Sequence, residues 1–127
     1  MTQLNQVYKC EVCGNVVQVV HTGVGTLVCC DKPMVLQEEH IKDQGFEKHL
    51  PALSFEDGKL RVTIGETLHP MEEAHYIEWI EYIVGNEVNR VYLESTDKPE
   101  AIFDLKDASN YIVRAYCNIH GLWELRM

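Results

Sequence analysis

The chain has 127 residues, of which 46% are hydrophobic, and a formal net charge of −9. This length allows one ordinary domain, or a small module attached to a larger domain, with enough apolar residues for a packed core. The excess of acidic residues argues against nucleic acid or an anionic membrane surface as a partner.

The N-terminal stretch MTQLNQVYKC shows no secretory signal, and nowhere is an apolar segment long enough to span a bilayer. We therefore expect a cytoplasmic protein. In that reducing compartment the five cysteines are predicted to be metal ligands or catalytic groups rather than disulfides.

Residues 7–36 are typical of a small metal-binding module, because short β-branched segments alternate with glycines and cysteines. It contains four of the five cysteines: Cys10, Cys13, Cys29 and Cys30. Cys10 and Cys13 close a tight turn that can point two thiolates at one ion. Cys29 and Cys30 are adjacent, so both can bind that ion only if the chain bends there and the tetrahedron is distorted. A structural zinc knuckle is the simplest interpretation, although four thiolates suit zinc and a single iron equally well.

The charged segment QEEHIKDQGFEKHLP is interpreted as a linker into a second domain, and the predicted domains are residues 1–37 and 38–127. From Ala52 onward, roughly seven short strands are separated by turn signals such as Asp57-Gly58 and Gly85-Asn86. At most a short turn of helix is expected, near PMEEAH or DASN. The pattern predicts an antiparallel β-sandwich of immunoglobulin-like type.

Five potential ligands stand at junctions between predicted strands and turns. They are His49, His69, His75, Cys117 and His120. Each histidine alone is most simply a surface residue, as we interpret His21 and His40. Together the five exceed the four ligands of structural zinc, and five ligands with one position left open describe a redox metal, with iron the natural candidate.

The stretches VYKCEVCGN, LVCC, EKH, HPMEEAHYIEWIE and YCNIHGLW resemble, in order and spacing, the desulfoferrodoxins, the two-iron form of superoxide reductase. The resemblance covers the whole chain. It implies a desulforedoxin-like N-terminal domain whose four cysteines hold one mononuclear iron. It also implies a seven-stranded β-sandwich with a catalytic iron, for which the four junction histidines are equatorial ligands and Cys117 is the axial ligand.

The implied activity is one-electron reduction of superoxide to hydrogen peroxide, without dismutation to oxygen, at a ferrous centre with an open sixth position. Glu47 matches the family carboxylate that occupies this position in the ferric state. Lys48 matches the lysine that attracts the anion and helps to order a proton-donating water. The chain departs from the family pattern at Ala115, because many members carry a glutamate at this position. This difference affects the tuning of the thiolate and the release of the product.

The resemblance further implies a homodimer that receives electrons from a small redox protein such as a rubredoxin, with the first iron not required for catalysis. Two other interpretations remain open. One is a rubredoxin-like electron-transfer protein whose second domain only docks a partner, and the other is a zinc-stabilised binding module. Visible absorption separates iron from zinc, and superoxide reduction separates an enzyme from a carrier.

Overall fold

A computed structural model of the chain describes residues 1–38, 50–65, 69–106 and 109–127. The chain divides into two compact units, Met1–Glu38 and Glu39–Met127. Within the described ranges all regular structure is β-strand. No helix in those ranges is long and apolar enough to cross a membrane.

The first unit is built from five short strands. They are β1 (Val7–Lys9), β2 (Val16–Gln18), β3 (Val28–Cys29), β4 (Lys32–Pro33) and β5 (Val35–Leu36). Antiparallel pairing gives a three-stranded sheet in the order β2-β1-β5 and a separate β3-β4 hairpin. Few side chains of this unit are buried, chiefly Val7, Cys10 and Val19. A core of that size supplies little stability, so a metal ion is expected to contribute to folding.

The second unit is a sandwich of seven antiparallel strands, as the sequence predicts. Its strands are β6 (Pro51–Glu56), β7 (Lys59–Ile64), β8 (Ile77–Val84), β9 (Glu87–Tyr92), β10 (Glu100–Asp104), β11 (Ile112–Cys117) and β12 (Gly121–Arg126). One sheet has the order β10-β7-β6 and the other has the order β12-β11-β8-β9. The immunoglobulin-like fold class is confirmed.

Two tight turns connect the hairpins at the predicted positions. Asp57 and Gly58 join β6 to β7 with φ values of +51° and +72°. Because both values are positive, this is the primed turn whose twist matches the strands. Gly85, with φ +55°, begins the turn from β8 to β9. The residues that predicted these hairpins therefore form their turns.

Alternate residues of the strands face inward and form one core between the sheets. Its buried members are Leu60, Val62, Ile64, Ile77, Ile80, Tyr82, Ala101, Phe103, Val113, Ala115 and Cys117. On β11 the inward row is Val113, Ala115 and Cys117, each with 0% of its surface exposed. Cys117 is thus the last core residue of its strand and stands at one end of the sandwich.

The other face of the four-stranded sheet carries a cross-strand row of alternating charges. Strand pairing places Glu124 opposite Arg114, Arg114 opposite Glu81, and Glu81 opposite Arg90. The carboxylate of Glu81 is fully buried and accepts hydrogen bonds of 2.8 Å from Nε of both Arg90 and Arg114. These ion pairs join β8 to both of its neighbours.

Candidate metal centres

The four cysteines of the first unit converge on one point. Every sulfur of Cys10, Cys13, Cys29 and Cys30 lies within 4.8 Å of the others. The Sγ atoms of Cys13 and Cys29 are 3.6 Å apart, and those of Cys29 and Cys30 are 4.0 Å apart. Four sulfurs bound tetrahedrally at about 2.3 Å are separated by roughly 3.8 Å. The cluster is therefore close to the geometry that one tetrahedral metal ion requires.

The local backbone explains how adjacent cysteines reach the same point. Cys30 and Asp31 both have left-handed φ values, +52° and +60°. They form the two-residue turn of the β3-β4 hairpin, in which Cys29 pairs with Lys32. The bend that binding by both Cys29 and Cys30 requires is therefore present, and this conformation is uncommon enough for non-glycine residues to mark a constrained site.

The pKa values of two of these cysteines are also consistent with a metal-binding role. Backbone N–H groups of Cys13 and Val12 donate to the Cys10 sulfur and lower the pKa of Cys10 to about 6. Hydrogen bonding to Cys13 is the main cause that raises the pKa of Cys30 to about 12. The thiolate form is thus stabilised at Cys10 and disfavoured at Cys30. Four thiolates can coexist here only when a metal ion compensates their charge.

A second group lies at one end of the sandwich and consists of His69, His75, Cys117 and His120. Their ligand atoms all lie within 4.8 Å of one another. The rings of His69 and His75 are 4.8 Å apart at 82°, and those of His75 and His120 are 5.0 Å apart at 72°. Ligands about 2.1 Å from an ion are separated by up to roughly 4.2 Å. Three imidazoles and one thiolate therefore lie close to the spacing that one transition metal requires.

Two loops supply these side chains. His69 and His75 lie between β7 and β8, and Cys117 and His120 flank the turn from β11 to β12. The pairing of β8 with β11 shifts register between Tyr116 and Cys117. A bulge of this kind re-aims side chains at the end of a ladder. Because Cys117 at the end of β11 pairs with Ile77 at the start of β8, the two loops lie at the same end of this sheet, and ligands far apart in sequence meet there.

Hydrogen bonds help to orient the side chains of His69, Cys117 and His120. His69 Nδ1 lies 2.7 Å from the carbonyl oxygen of Pro70. The nitrogen of this ring that can bind a metal ion is therefore Nε2. His120 Nδ1 lies 3.8 Å from the Cys117 sulfur, and the His120 N–H donates to that sulfur at 3.4 Å. Burial raises the pKa of Cys117, opposed by the N–H groups of His120 and Ile119. A buried thiolate at this position requires a cation.

Among the other predicted site residues, Glu47, Lys48 and His49 lie outside the described residues, as does His40. His21 is exposed. Ala115 is fully buried in the core. The sequence interpretation missed Asn118, whose side chain joins the two ligand loops. The only available signal was its position between Cys117 and His120.

Family models match both units: Desulfoferrodoxin over residues 41–126, and Desulfoferrodoxin, N-terminal domain, over residues 2–37. A desulfoferrodoxin homolog from Archaeoglobus fulgidus is 52% identical over 124 residues, 98% of each chain. A superoxide reductase from Pyrococcus abyssi is 36% identical over 96 residues, which cover 61% of this chain and 84% of that protein.

The crystal structure of the superoxide reductase from Treponema pallidum aligns with a TM-score of 0.77 at 20% identity, covering 94% of this chain and 96% of that one. At this identity the likeness supports the fold alone. The four-cysteine group and the histidine–cysteine group match the two iron sites of desulfoferrodoxins. Because family models match both units and a relative is 52% identical over nearly the whole chain, the protein belongs to the desulfoferrodoxin family.

Proposed function

We propose that the protein is a superoxide reductase, which reduces superoxide by one electron to hydrogen peroxide without dismutation to oxygen. The observation that carries this proposal is the convergence of three imidazoles and one buried thiolate at the end of the sandwich. These residues would hold a ferrous ion, which would supply the electron. The substrate anion takes up that electron and two protons, which balances its conversion to hydrogen peroxide.

In this proposal His69, His75, His120 and Cys117 would hold the iron together with His49. The Cys117 sulfur lies inside the core and accepts two backbone N–H groups, so its orientation is fixed by β11 and by the turn that follows. Thiolate donation favours electron transfer toward bound oxygen species. His69, His75 and His120 come from loops at the end of the sandwich.

Glu47 and Lys48 complete the proposed site. Lys48 provides a positive charge that attracts an anion to a protein of net charge −9, and it helps to order a water that donates a proton. Glu47 is the carboxylate that would bind the iron in its ferric state. In this chain Ala115 leaves the inner row of β11 without the carboxylate that many members carry there. The thiolate is therefore tuned by burial and backbone N–H groups.

The first centre, Cys10, Cys13, Cys29 and Cys30, is proposed to hold an iron that catalysis does not require. We also propose a homodimer. In its support, the first unit exposes many large apolar side chains for its size, which a second copy would cover. They are Met1, Leu4, Val12, Val16, Val17, Val20, Val24, Val28, Val35 and Leu36. Sedimentation at micromolar concentration tests the dimer.

The electron donor is proposed to be a small redox protein such as a rubredoxin, and the location to be the cytoplasm. Metal analysis combined with product stoichiometry tests the function. With an external reductant, each superoxide consumed should yield one hydrogen peroxide and no oxygen. One oxygen for every two superoxide ions would indicate dismutation. Two zinc ions and no visible absorption would instead support the binding module, and iron without superoxide reduction would support the electron carrier.

A further inference from the structure

Asn118 directly follows the ligand Cys117 and lies in the turn that leads to His120. We propose that Asn118 is a positioning residue that locks the loop of His75 to the loop of Cys117 and His120. This inference rests on the proposed assignment of these residues as metal ligands. It concerns how the ligand set is held together, and it assigns Asn118 no contact with substrate.

Three hydrogen bonds join Asn118 to the chain on either side of His75. The Tyr76 N–H donates to Asn118 Oδ1 at 2.9 Å. The side-chain amide of Asn118 donates from Nδ2 to the carbonyl oxygen of Ala74 at 3.1 Å. The backbone N–H of Asn118 donates to the carbonyl oxygen of Tyr76 at 3.2 Å. The two residues that bracket His75 are therefore both tied to Asn118.

The same loop is closed from within, so the contact with Asn118 acts on a rigid segment. Glu72 and His75 exchange two backbone hydrogen bonds of 3.0 Å each. The N–H of Ile77, the first residue of β8, lies 3.5 Å from the sulfur of Met71. Because the His75 loop is already braced, fixing Ala74 and Tyr76 to Asn118 fixes the His75 backbone relative to Cys117.

The chemistry of the side chain explains why asparagine suits this position. A carboxamide presents one acceptor and a donor group on a short stem, and here both are used at once, on a N–H and on a carbonyl two residues apart. Aspartate would keep the acceptor and lose the donor. Leucine, which has similar volume, would lose both. Each hydrogen bond is worth roughly a fivefold change in an opening equilibrium, so the two substitutions should give graded effects.

The test compares Asn118→Leu and Asn118→Asp with the parent, and uses Asn89→Leu as a matched control. Asn89 lies on β9 and donates from Nδ2 to the carbonyl oxygen of Tyr82 at 3.1 Å. The control therefore also removes a side-chain-to-backbone hydrogen bond, but outside both ligand loops. Amide hydrogen exchange of Tyr76 is measured by NMR in the zinc-loaded, diamagnetic protein. Iron release to a chelator and the thiolate-to-iron absorption band are measured in the iron-loaded protein.

We expect exchange of the Tyr76 amide to accelerate about twentyfold in Asn118→Leu and about fivefold in Asn118→Asp. Iron release from the second centre should accelerate in the same order, with a shifted or broadened thiolate band. Iron release from the first centre should not change. Asn89→Leu should leave the Tyr76 exchange, the release rates and the band as in the parent.

Parental rates of Tyr76 exchange and iron release in Asn118→Leu would overturn the inference. Equal effects of Asn118→Leu and Asn89→Leu would also overturn it, since the cause would then be general stability. Failure of the proposed function would look different: the parent itself would show no thiolate-to-iron band beyond that of the first centre, which Cys13→Ser removes. In that case exchange of Tyr76 in the metal-free protein would still decide whether Asn118 locks the two loops.

Discussion

The charged row on the four-stranded sheet gives a sharp prediction for Glu81→Gln. This substitution keeps the shape of the side chain but removes a carboxylate that is 0% exposed and serves two arginines. The Arg114 side chain is only 3% exposed, so its charge would remain buried next to a neutral amide. Breaking a buried ion pair from one side costs about 3–5 kcal/mol. Because Glu124 lies opposite Arg114, we expect a loss near the lower value.

Tryptophan fluorescence in a urea titration measures this loss in the second unit. Both tryptophans of the chain, Trp79 and Trp123, belong to that unit. A loss of about 3 kcal/mol should lower the unfolding midpoint by about 1–3 M, for a slope of about 1–3 kcal/mol/M. Glu100→Gln is the matched control, because its ion pair with Arg61 is 3.4 Å long and its own side chain is 30% exposed. That variant should lose at most about 1 kcal/mol.

Equal midpoints for Glu81→Gln and Glu100→Gln would refute the reasoning that the buried row stabilises the sheet. The rate of reaction with superoxide at 25 °C should be unchanged in both variants. The proposed ligands lie at or beyond the ends of β8 and β11, whereas Glu81 lies in the middle of β8. A slower reaction would mean that the row also positions the ligand loops.

Three further predictions concern the metal centres. Cys13→Ser should abolish the absorption of the first iron while superoxide reduction persists, and loss of both would show that the centres are coupled. Lys48→Ile should slow the second-order reaction with superoxide about tenfold and weaken its salt dependence, whereas Lys48→Arg should retain most of the rate. Pulse radiolysis measures both rates, and an isoleucine variant as fast as the parent would contradict this prediction. Chelation of both metals should unfold the first unit, which NMR would show as a loss of amide dispersion for residues 1–38. The urea midpoint of tryptophan fluorescence should stay nearly unchanged. A large fall in that midpoint would contradict the independent stability of the second unit.

Much of the sandwich can be predicted from local sequence, because the turn residues and the alternation of apolar and polar residues indicate the same strands. Asp57-Gly58 is a strong hairpin signal, and the strand after it buries Leu60, Val62 and Ile64 as the pattern predicts. The inward position of Cys117 also follows from alternation, since it continues the row of buried residues on β11. Local rules suffice where each strand needs only one buried face.

The buried charges could not be predicted in the same way. Alternation assigns Glu81 and Arg114 to the outer face, where charged residues are normally solvated, yet both are buried. Their burial depends on cross-strand pairing between segments 33 residues apart, which no local pattern encodes. Asn118 was missed for a similar reason, because its partners lie on a loop more than 40 residues earlier. The predicted roles of Glu47, Lys48 and His49 stay predictions.

The two centres differ in what holds their ligands in place. In the first unit the ligands are themselves a large part of the structure, since Cys10 is one of few buried side chains and Cys30 occupies a left-handed turn. Metal binding there replaces the core that about forty residues cannot form. In the second unit Cys117 belongs to a core that two sheets complete on their own. Its geometry is therefore set before metal binds, and a fixed ligand frame keeps structural rearrangement small when the metal changes its charge.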